Sequence, residues 1–347
     1  MTPQLNFVID QPDHAMPRFL AIRSVADCFA RDPGVAAGIA SQGDLCWSLQ
    51  TYLNLAQWTY LPVSCSNRLR DDAINFVHSD QLGKIGGRSS AFVVCLRADY
   101  PARRWAHHHI VQNKLQASAT ATYLPLWAQP GLIKRSGGRK SVETAAYVGQ
   151  TFNGNLAADA VFWRKAFASI DLEFLTPPRE AWHDFSGVDI LVGVRSFDRR
   201  RYPTKPPSKL INAWRAEVPF IGGFDSAYEQ VGRPGQDFLQ ARTVEGVMQA
   251  AFVLKHDRSA YERLVETGRA AAEAFSEESL CSRWTSVIRK VIEPRYERWL
   301  AGARYETPRF HAMFALGRVE KRTRAFARGA IDLARFAVRP EPALSLR

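Results

Sequence analysis

The stretch Tyr202–Glu229, YPTKPPSKLINAWRAEVPFIGGFDSAYE, carries the densest set of residues able to handle a phosphorylated ligand. Lys205 and Lys209 flank Pro206 and Pro207, whose fixed φ stiffens the loop. Ser208 is placed to cap a helix whose first amides point back between the two lysines. Two cations and a helix N-terminus together favour a phosphate or diphosphate. Beyond that helix, Val218–Ile221 reads as a strand running into Gly222 and Gly223, where a backbone can approach a ligand closely. Ser226 and Glu229 follow, and a carboxylate there suits the hydroxyls of a ribose. Arg195 stands directly after the apolar run Val188–Val194. Ligands of open α/β sheets bind outside the carboxyl ends of strands, so Arg195 reads either as a phosphate or base contact or as a surface ion pair.

These groups need a scaffold, and the chain is long enough for two domains: 347 residues, 46% hydrophobic and 23% charged, the balance of an ordinary globular protein. Leu5–Ile9 is a short apolar run followed by a Pro-containing loop and a helical pattern over Arg18–Arg31, which is how a doubly wound α/β domain begins. Strands are predicted at Trp58–Val63, Ala73–Val77, Phe92–Arg97 and Tyr123–Leu126, with a helix over Ala102–Ala117. Pro/Gly punctuation between Gln129 and Lys140 marks a boundary. A second α/β series then opens, with a helix near Asn155–Ser169 and strands at Asp171–Leu175 and Val188–Val194. Helices at Ser208–Ala216, Val244–Lys255, Ser259–Ala274 and Glu278–Trp299 complete it. The expected division is residues 1–135, residues 145–300 and a basic helical tail, residues 301–347.

The order of elements around Ser208–Ile221 resembles the donor-binding segment of GT-B glycosyltransferases. Their pattern is a loop, a helix with Lys-Leu-x-Glu/Asn-Ala, a Val-Pro strand, glycines and a glutamate. Tyr147-Val148-Gly149 resembles the first strand of the same domain, and Val188–Val192 the strand before the donor loop. The resemblance covers residues 147–299. It implies two Rossmann-like domains facing across a cleft and a transfer of sugar from a nucleotide-diphosphate sugar to a glycan or lipid-linked acceptor. By the same resemblance Lys205, Lys209 and the Ser208 helix start hold the diphosphate, and Glu229 holds the ribose. Ser226 and Gly223 then line the sugar or phosphate, with Asn212 and Arg195 in the same site. The nucleotide sugar is a co-substrate, and neither a cofactor nor a metal is expected. Thr204 and Asn212 stand where many retaining members carry a glutamate pair, and Glu217 replaces a frequent glycine. The first departure tilts the expectation towards inversion and leaves the donor unnamed.

Inversion needs one base on the acceptor side. Strand-end loops of the first half offer His14 with Asp13, in a loop resembling the His-x-x-Pro loop of some inverting GT-B enzymes, or His78 with Asp80. Ordinary capping roles are the competing reading for all four. His107, His108 and His109, on the expected helix, point about 100° apart and cannot converge on one metal ion.

The net charge of +12 suggests a polyanionic partner. Half of it comes from the segment 309–339, where Arg309, Arg318, Lys321, Arg322, Arg324, Arg328, Arg335 and Arg339 stand against Glu320 and Asp332. With Leu316, Val319, Thr323 and Phe326 at helical spacing, that segment reads as a helix that either docks on the first domain or lies on an anionic membrane surface. No zinc-finger, helix-turn-helix or stacking-platform signature supports a nucleic-acid partner. Five scattered cysteines, no signal-peptide pattern and no apolar run long enough to span a bilayer lead to the expectation of a cytoplasmic protein, peripheral at the inner face of the plasma membrane. A non-catalytic polysaccharide-assembly or scaffold protein of the same shape is the other reading.

Overall fold

A computed structural model describes residues 3–150, 159–198, 200–302 and 305–337. Two parallel sheets organise the chain. The first holds β1 (Gln4–Val8), β2 (Val63–Ser66), β3 (Ala73–His78), β4 (Phe92–Leu96), β5 (His108–Val111) and β6 (Ala121–Tyr123) in the order β2-β1-β3-β4-β5-β6. β3 and β4 are buried along their whole length; β4 is an unbroken apolar run, as suits a strand covered on both faces, and β3 also buries Asn75 and His78. The second sheet holds β7 (Thr144–Ala146), β8 (Glu173–Leu175), β9 (Ile190–Gly193), β10 (Phe220–Gly222) and β11 (Leu239–Gln240) in the order β11-β10-β9-β7-β8. Every pairing is parallel, so the carboxyl ends of all strands in a sheet lie on one edge.

The helices follow the sequence with informative exceptions. The single helix expected over Arg18–Arg31 is two, α1 (Met16–Leu20) and α2 (Val25–Arg31). Ser24 breaks the run because its Oγ accepts the Asp27 amide and starts a new helix. α3 (Pro33–Ser41) and α4 (Gln50–Trp58), the latter preceded by a π-helical turn at Leu45–Leu49, occupy the span expected to lead into a strand at Trp58. That strand lies later, at Val63–Ser66. After β3 comes α5 (Ser79–Ile85). The helix expected over Ala102–Ala117 is not formed: its middle is β5, hydrogen-bonded between β4 and β6.

In the second half, α6 (Ala160–Ala168), α7 (Ser208–Ala216), α8 (Ser226–Glu229), α9 (Val244–His256) and α10 (Arg258–Ala272) surround the sheet. The N-terminal part of the helix expected near Asn155 falls outside the described residues. α11 (Glu277–Val287) and α12 (Glu293–Ala301) then cross back to the first sheet. There Trp284 meets Phe76 edge-on at 6.0 Å, and Tyr296 and Trp299 pack on Phe92 at 5.4 and 5.7 Å. Last comes α13 (Glu306–Ala337). Its first turns dock on the first domain, with Phe310 against Trp105 at 5.5 Å and Glu306 bonded to His107 at 3.2 Å. Further along, Leu316, Val319 and Phe326 are exposed. No helix among the described residues is long and apolar enough to cross a membrane.

A second connection binds the halves near the strand ends. Asn113, just past β5 and fully buried, donates from Nδ2 to the carbonyls of Tyr202 at 3.3 Å and Lys205 at 3.0 Å and to Ser226 Oγ at 3.3 Å. Its Oδ1 accepts from Gln230 Nε2 at 2.8 Å. Buried amides are costly to leave unpaired, so this clasp fixes the loop before α7 against the first domain.

Candidate active site

The two carboxyl edges face each other, and between them lies a cleft of about 320 Å³. From the second domain, β7 ends in Tyr147-Val148-Gly149. Gly149 has φ +150°, and a Cβ there would meet Lys209 Nζ at 2.4 Å. Glycine at this point is what lets the lysine reach the strand end. Lys209 Nζ donates to the Val148 carbonyl and sits 4.8 Å from the centre of the Tyr147 ring. Burial, reinforced by Arg195 and Lys205, brings its pKa down to about 7.

Arg195 follows β9, and its Nε donates to Asp225 Oδ2 at 2.6 Å, with Tyr202 stacked 5.9 Å away. Ser208 is the first residue of α7 rather than its cap. Pro207 holds the cap position and offers no side-chain acceptor, so the first amides of the helix have no side-chain partner there. Lys205, Ser208, Lys209, Asn212 and Arg195 all line the cleft, so the structure brings these five expected site residues together. Asn212 Oδ1 accepts the Gln129 amide at 2.9 Å and so also ties the helix to the segment joining the domains.

Three other residues expected in the donor site do not line this cleft. Gly223 is buried, and a Cβ on it would lie 3.0 Å from the Ser196 carbonyl, so it serves a close backbone approach within the domain. Ser226 is buried, donating to the Arg201 carbonyl and accepting from Asn113. Glu229 is exposed on the last turn of α8, its Oε1 accepting from Gln240 Nε2 at 2.8 Å.

The first domain differs more from expectation. His14 and Asp13 are exposed on a short turn after β1, and neither lines the cleft. Asp13 is held aside by Asn67 Nδ2 at 2.6 Å and Arg68 at 2.7 Å, and these two bonds keep its carboxyl below the usual range. His78 ends β3 and is buried behind Gly43, which does line the cleft: a Cβ on Gly43 would touch the ring at 3.0 Å. Burial drives the His78 pKa down to about 4, so the ring is neutral at physiological pH. Asp80, half-buried in the first turn of α5, is also absent from the cleft lining. His108 and His109 open the interior strand β5 and His107 directly precedes it, with no helix there, and each ring is engaged separately, by Glu306 (His107), Thr122 (His108) and the Arg103 amide (His109).

Among the described residues one carboxylate does line the cleft: Asp99, three residues beyond the end of β4, after Arg97 and Ala98. Ala98 has φ +47°, an uncommon conformation for a residue with a Cβ, and the turn it makes sends Asp99 across to the second domain. There Asp99 pairs with Lys205 Nζ, and its other oxygen accepts from Gln112 Nε2 at 2.7 Å. The rule that selects strand-end loops points equally to this loop after Phe92–Arg97, so a signal for Asp99 was present in the sequence.

No protein-family model matches the chain, and no curated protein does. Solved structures do. Anabaena HepE, solved with UDP and glucose, superposes with a TM-score of 0.51 over 84% of this chain and 100% of its own, at 9% identity. The chain has the GT-B glycosyltransferase fold. TarM aligns at a TM-score of 0.48 and 7% identity over 62% of this chain and 55% of its own. A pneumococcal O-GlcNAc transferase, GtfA, solved with UDP and GlcNAc, gives 0.47 and 10% over 65% and 58%. This chain thus matches little more than half the length of these two. In the GT-B fold the cleft between the paired Rossmann-like sheets is the place where the strand-end loops of both domains meet.

Proposed function

We propose that the protein is a glycosyltransferase that takes a sugar from a nucleoside-diphosphate donor in this cleft and gives it to a hydroxyl of a glycan or lipid-linked acceptor. The observation that carries the reading is the convergence of Lys205, Lys209, Arg195 and the start of α7 on one cleft where Asp99, the one lining carboxylate among the described residues, comes from the opposite domain. The lysines and the helix amides receive the diphosphate, and Tyr147 and Trp182 give the cleft apolar walls. As the acceptor oxygen bonds to the anomeric carbon, Asp99 takes its proton. The bond from that carbon to the phosphate oxygen breaks, and the nucleoside diphosphate leaves with the electron pair, its charge met by protein cations. One base and one displacement give inversion without a bound metal. Before the donor arrives Lys205 neutralises Asp99, and the diphosphate competes for that lysine.

The exposed Leu316, Val319 and Phe326 of α13 beside Arg318, Lys321 and Arg322 support a peripheral position on an anionic membrane, where a lipid-linked acceptor is found. Residues 338 and 339 of the basic segment lie outside the described residues.

A thermal-shift panel of nucleoside diphosphates tests the reading, followed by calorimetry on Asp99→Asn with the nucleotide that binds. The variant is expected to bind that nucleotide two- to fivefold more tightly, because Lys205 loses its competitor, while turnover drops by about 10²-fold or more. Absence of binding across the panel sinks the donor site and leaves the non-catalytic scaffold reading. A fully active Asp99→Asn enzyme removes Asp99 from the chemistry.

A further inference from the structure

Away from the cleft, three depressions join end to end along α11. The first, about 900 Å³, lies between Lys114 and Tyr123 of the first domain and Arg233, Arg263 and Arg283 of the second. It shares Tyr123 and Arg283 with another of about 220 Å³. That one shares Ser286 with a third of about 480 Å³, lined by Trp58, Tyr60, Arg289 and Lys290. Six cations face this track and only two carboxylates do, Asp237 and Glu278. Among the described residues Lys114, Arg263, Arg283, Arg289 and Lys290 form no ion pair, and Arg233 reaches Asp237 only at 4.0 Å.

The aromatic groups narrow the chemistry. Lys114 and Arg283 lie over the rings of Tyr123 and Phe275, each at 5.6 Å, one pair on each domain. At the far end Trp58 is 50% exposed and Tyr60 fully so, rings that the fold itself does not bury. An open aromatic face is apolar enough to cover the C–H face of a pyranose. From Arg283 to Lys290 alone the helix advances by about 10 Å, so a single phosphate cannot occupy the track. A chain can. The track is made of depressions, and the largest is lined by Thr267 and Ala271 as well as the cations, a shape that a flat bilayer does not enter.

We propose that this track binds an extended anionic glycan, a chain of sugars bearing carboxylates or phosphates. Naming that glycan as the acceptor rests on the transferase reading; its binding does not. The track adjoins the donor loop through one side chain: Gln230 lines it and bonds Asn113, which in turn holds the Lys205 carbonyl.

The test titrates the full-length protein with an oligogalacturonate long enough to span the track, a neutral malto-oligosaccharide of equal length, and an oligothymidylate of equal charge. The oligogalacturonate is expected to bind best. Arg283→Glu/Arg289→Glu should weaken it at least about tenfold. Tyr60→Ala, at a side chain with nothing packed on it, should weaken it several-fold. Arg318→Glu/Arg322→Glu makes the same charge change on α13 and should leave the affinity within about twofold. No binding by the wild type, an equal loss from the α13 pair, no effect of Tyr60→Ala, or tighter binding of oligothymidylate overturns the proposal. Nucleoside-diphosphate affinity, measured on the same proteins, is expected to be unchanged in the track variants. A wild type that binds the oligogalacturonate but no nucleoside diphosphate refutes the transferase reading and leaves the track standing.

Discussion

A lysine that holds a phosphate is normally fully charged before the ligand arrives, but in the proposed diphosphate site burial works against the charge on Lys209. Its pKa of about 7, set by burial and by the neighbouring Arg195 and Lys205, leaves roughly one molecule in ten protonated there at pH 8. A diphosphate placed against Nζ supplies the opposite charge that restores the ammonium, so binding at pH 8 should draw in about 0.9 proton per nucleotide. The ligand's own last phosphate proton, with a pKa near 6, is already gone at that pH and does not confuse the count. Calorimetry at pH 8 in HEPES and in Tris, whose ionisation enthalpies differ, with the nucleoside diphosphate that the thermal-shift panel selects, reads the uptake directly. Affinity should also fall by up to about tenfold for each pH unit above 8, because the competent fraction shrinks by that factor. Lys209→Met should abolish the uptake. It should also stabilise the protein, and the sign is fixed: the unfolded chain binds the lysine proton below about 10.5 and the folded chain only below about 7. The burial cost therefore accumulates as pH falls through that window and is complete below 7. The variant's gain in melting temperature should be largest at pH 6 and vanish above pH 11. Uptake that survives in Lys209→Met, or a wild type that takes up no proton, would falsify the assignment of Lys209 as the diphosphate cation.

Asn113→Ala removes a buried amide that satisfies three acceptors of the second domain, and should cost about 1–3 kcal/mol of stability by denaturant unfolding. Nucleotide affinity should drop several-fold with it, since the Tyr202–Lys205 loop loses its support; unchanged affinity would mean the loop holds its shape alone. For the tail, ending the chain after Glu320 keeps the docked Glu306, Phe310 and Arg104–Glu320 contacts. Nucleotide binding should then survive while salt-sensitive flotation with anionic vesicles is lost, and flotation by the shortened protein would remove α13 from membrane contact. Ending it before Glu306 uncovers Trp105 and His107 and should lower the melting temperature as well.

The grouping of the proposed donor-site residues was legible because they are local in sequence. Lys205, Ser208, Lys209 and Asn212 sit on one loop and the first turns of the helix that follows it, so sequence spacing alone brings them to one place. Arg195 needed only the strand-end rule. Glu229 lies apart from these residues for the opposite reason. It lies in the segment that the resemblance picks out, but the Asp225 carboxylate caps α8 and takes Arg195, and Glu229 at the other end of that helix bonds Gln240 and does not line the cleft.

The acceptor side depends on which strand-end loop meets which, and that is a property of sheet order. β1 lies between β2 and β3, and the loop after it is pulled outward by Asn67 and Arg68 from the loop following β2, taking His14 and Asp13 with it. β4 lies beside β5, and the loop after β5 is the one that clasps the donor loop through Asn113, so the neighbouring Asp99 is the carboxylate that arrives opposite Lys205. The order itself was obscured at β5. Its sequence HHIV reads as polar, yet burial holds His108 near 3 and His109 near 4, so both rings are neutral and pack as core. Scored as neutral rings, the pair extends Ile110 and Val111 into a buried strand. With that strand beside Phe92–Leu96, the loop holding Asp99 becomes the one next to the interdomain clasp, and the base candidate follows from topology rather than from any motif.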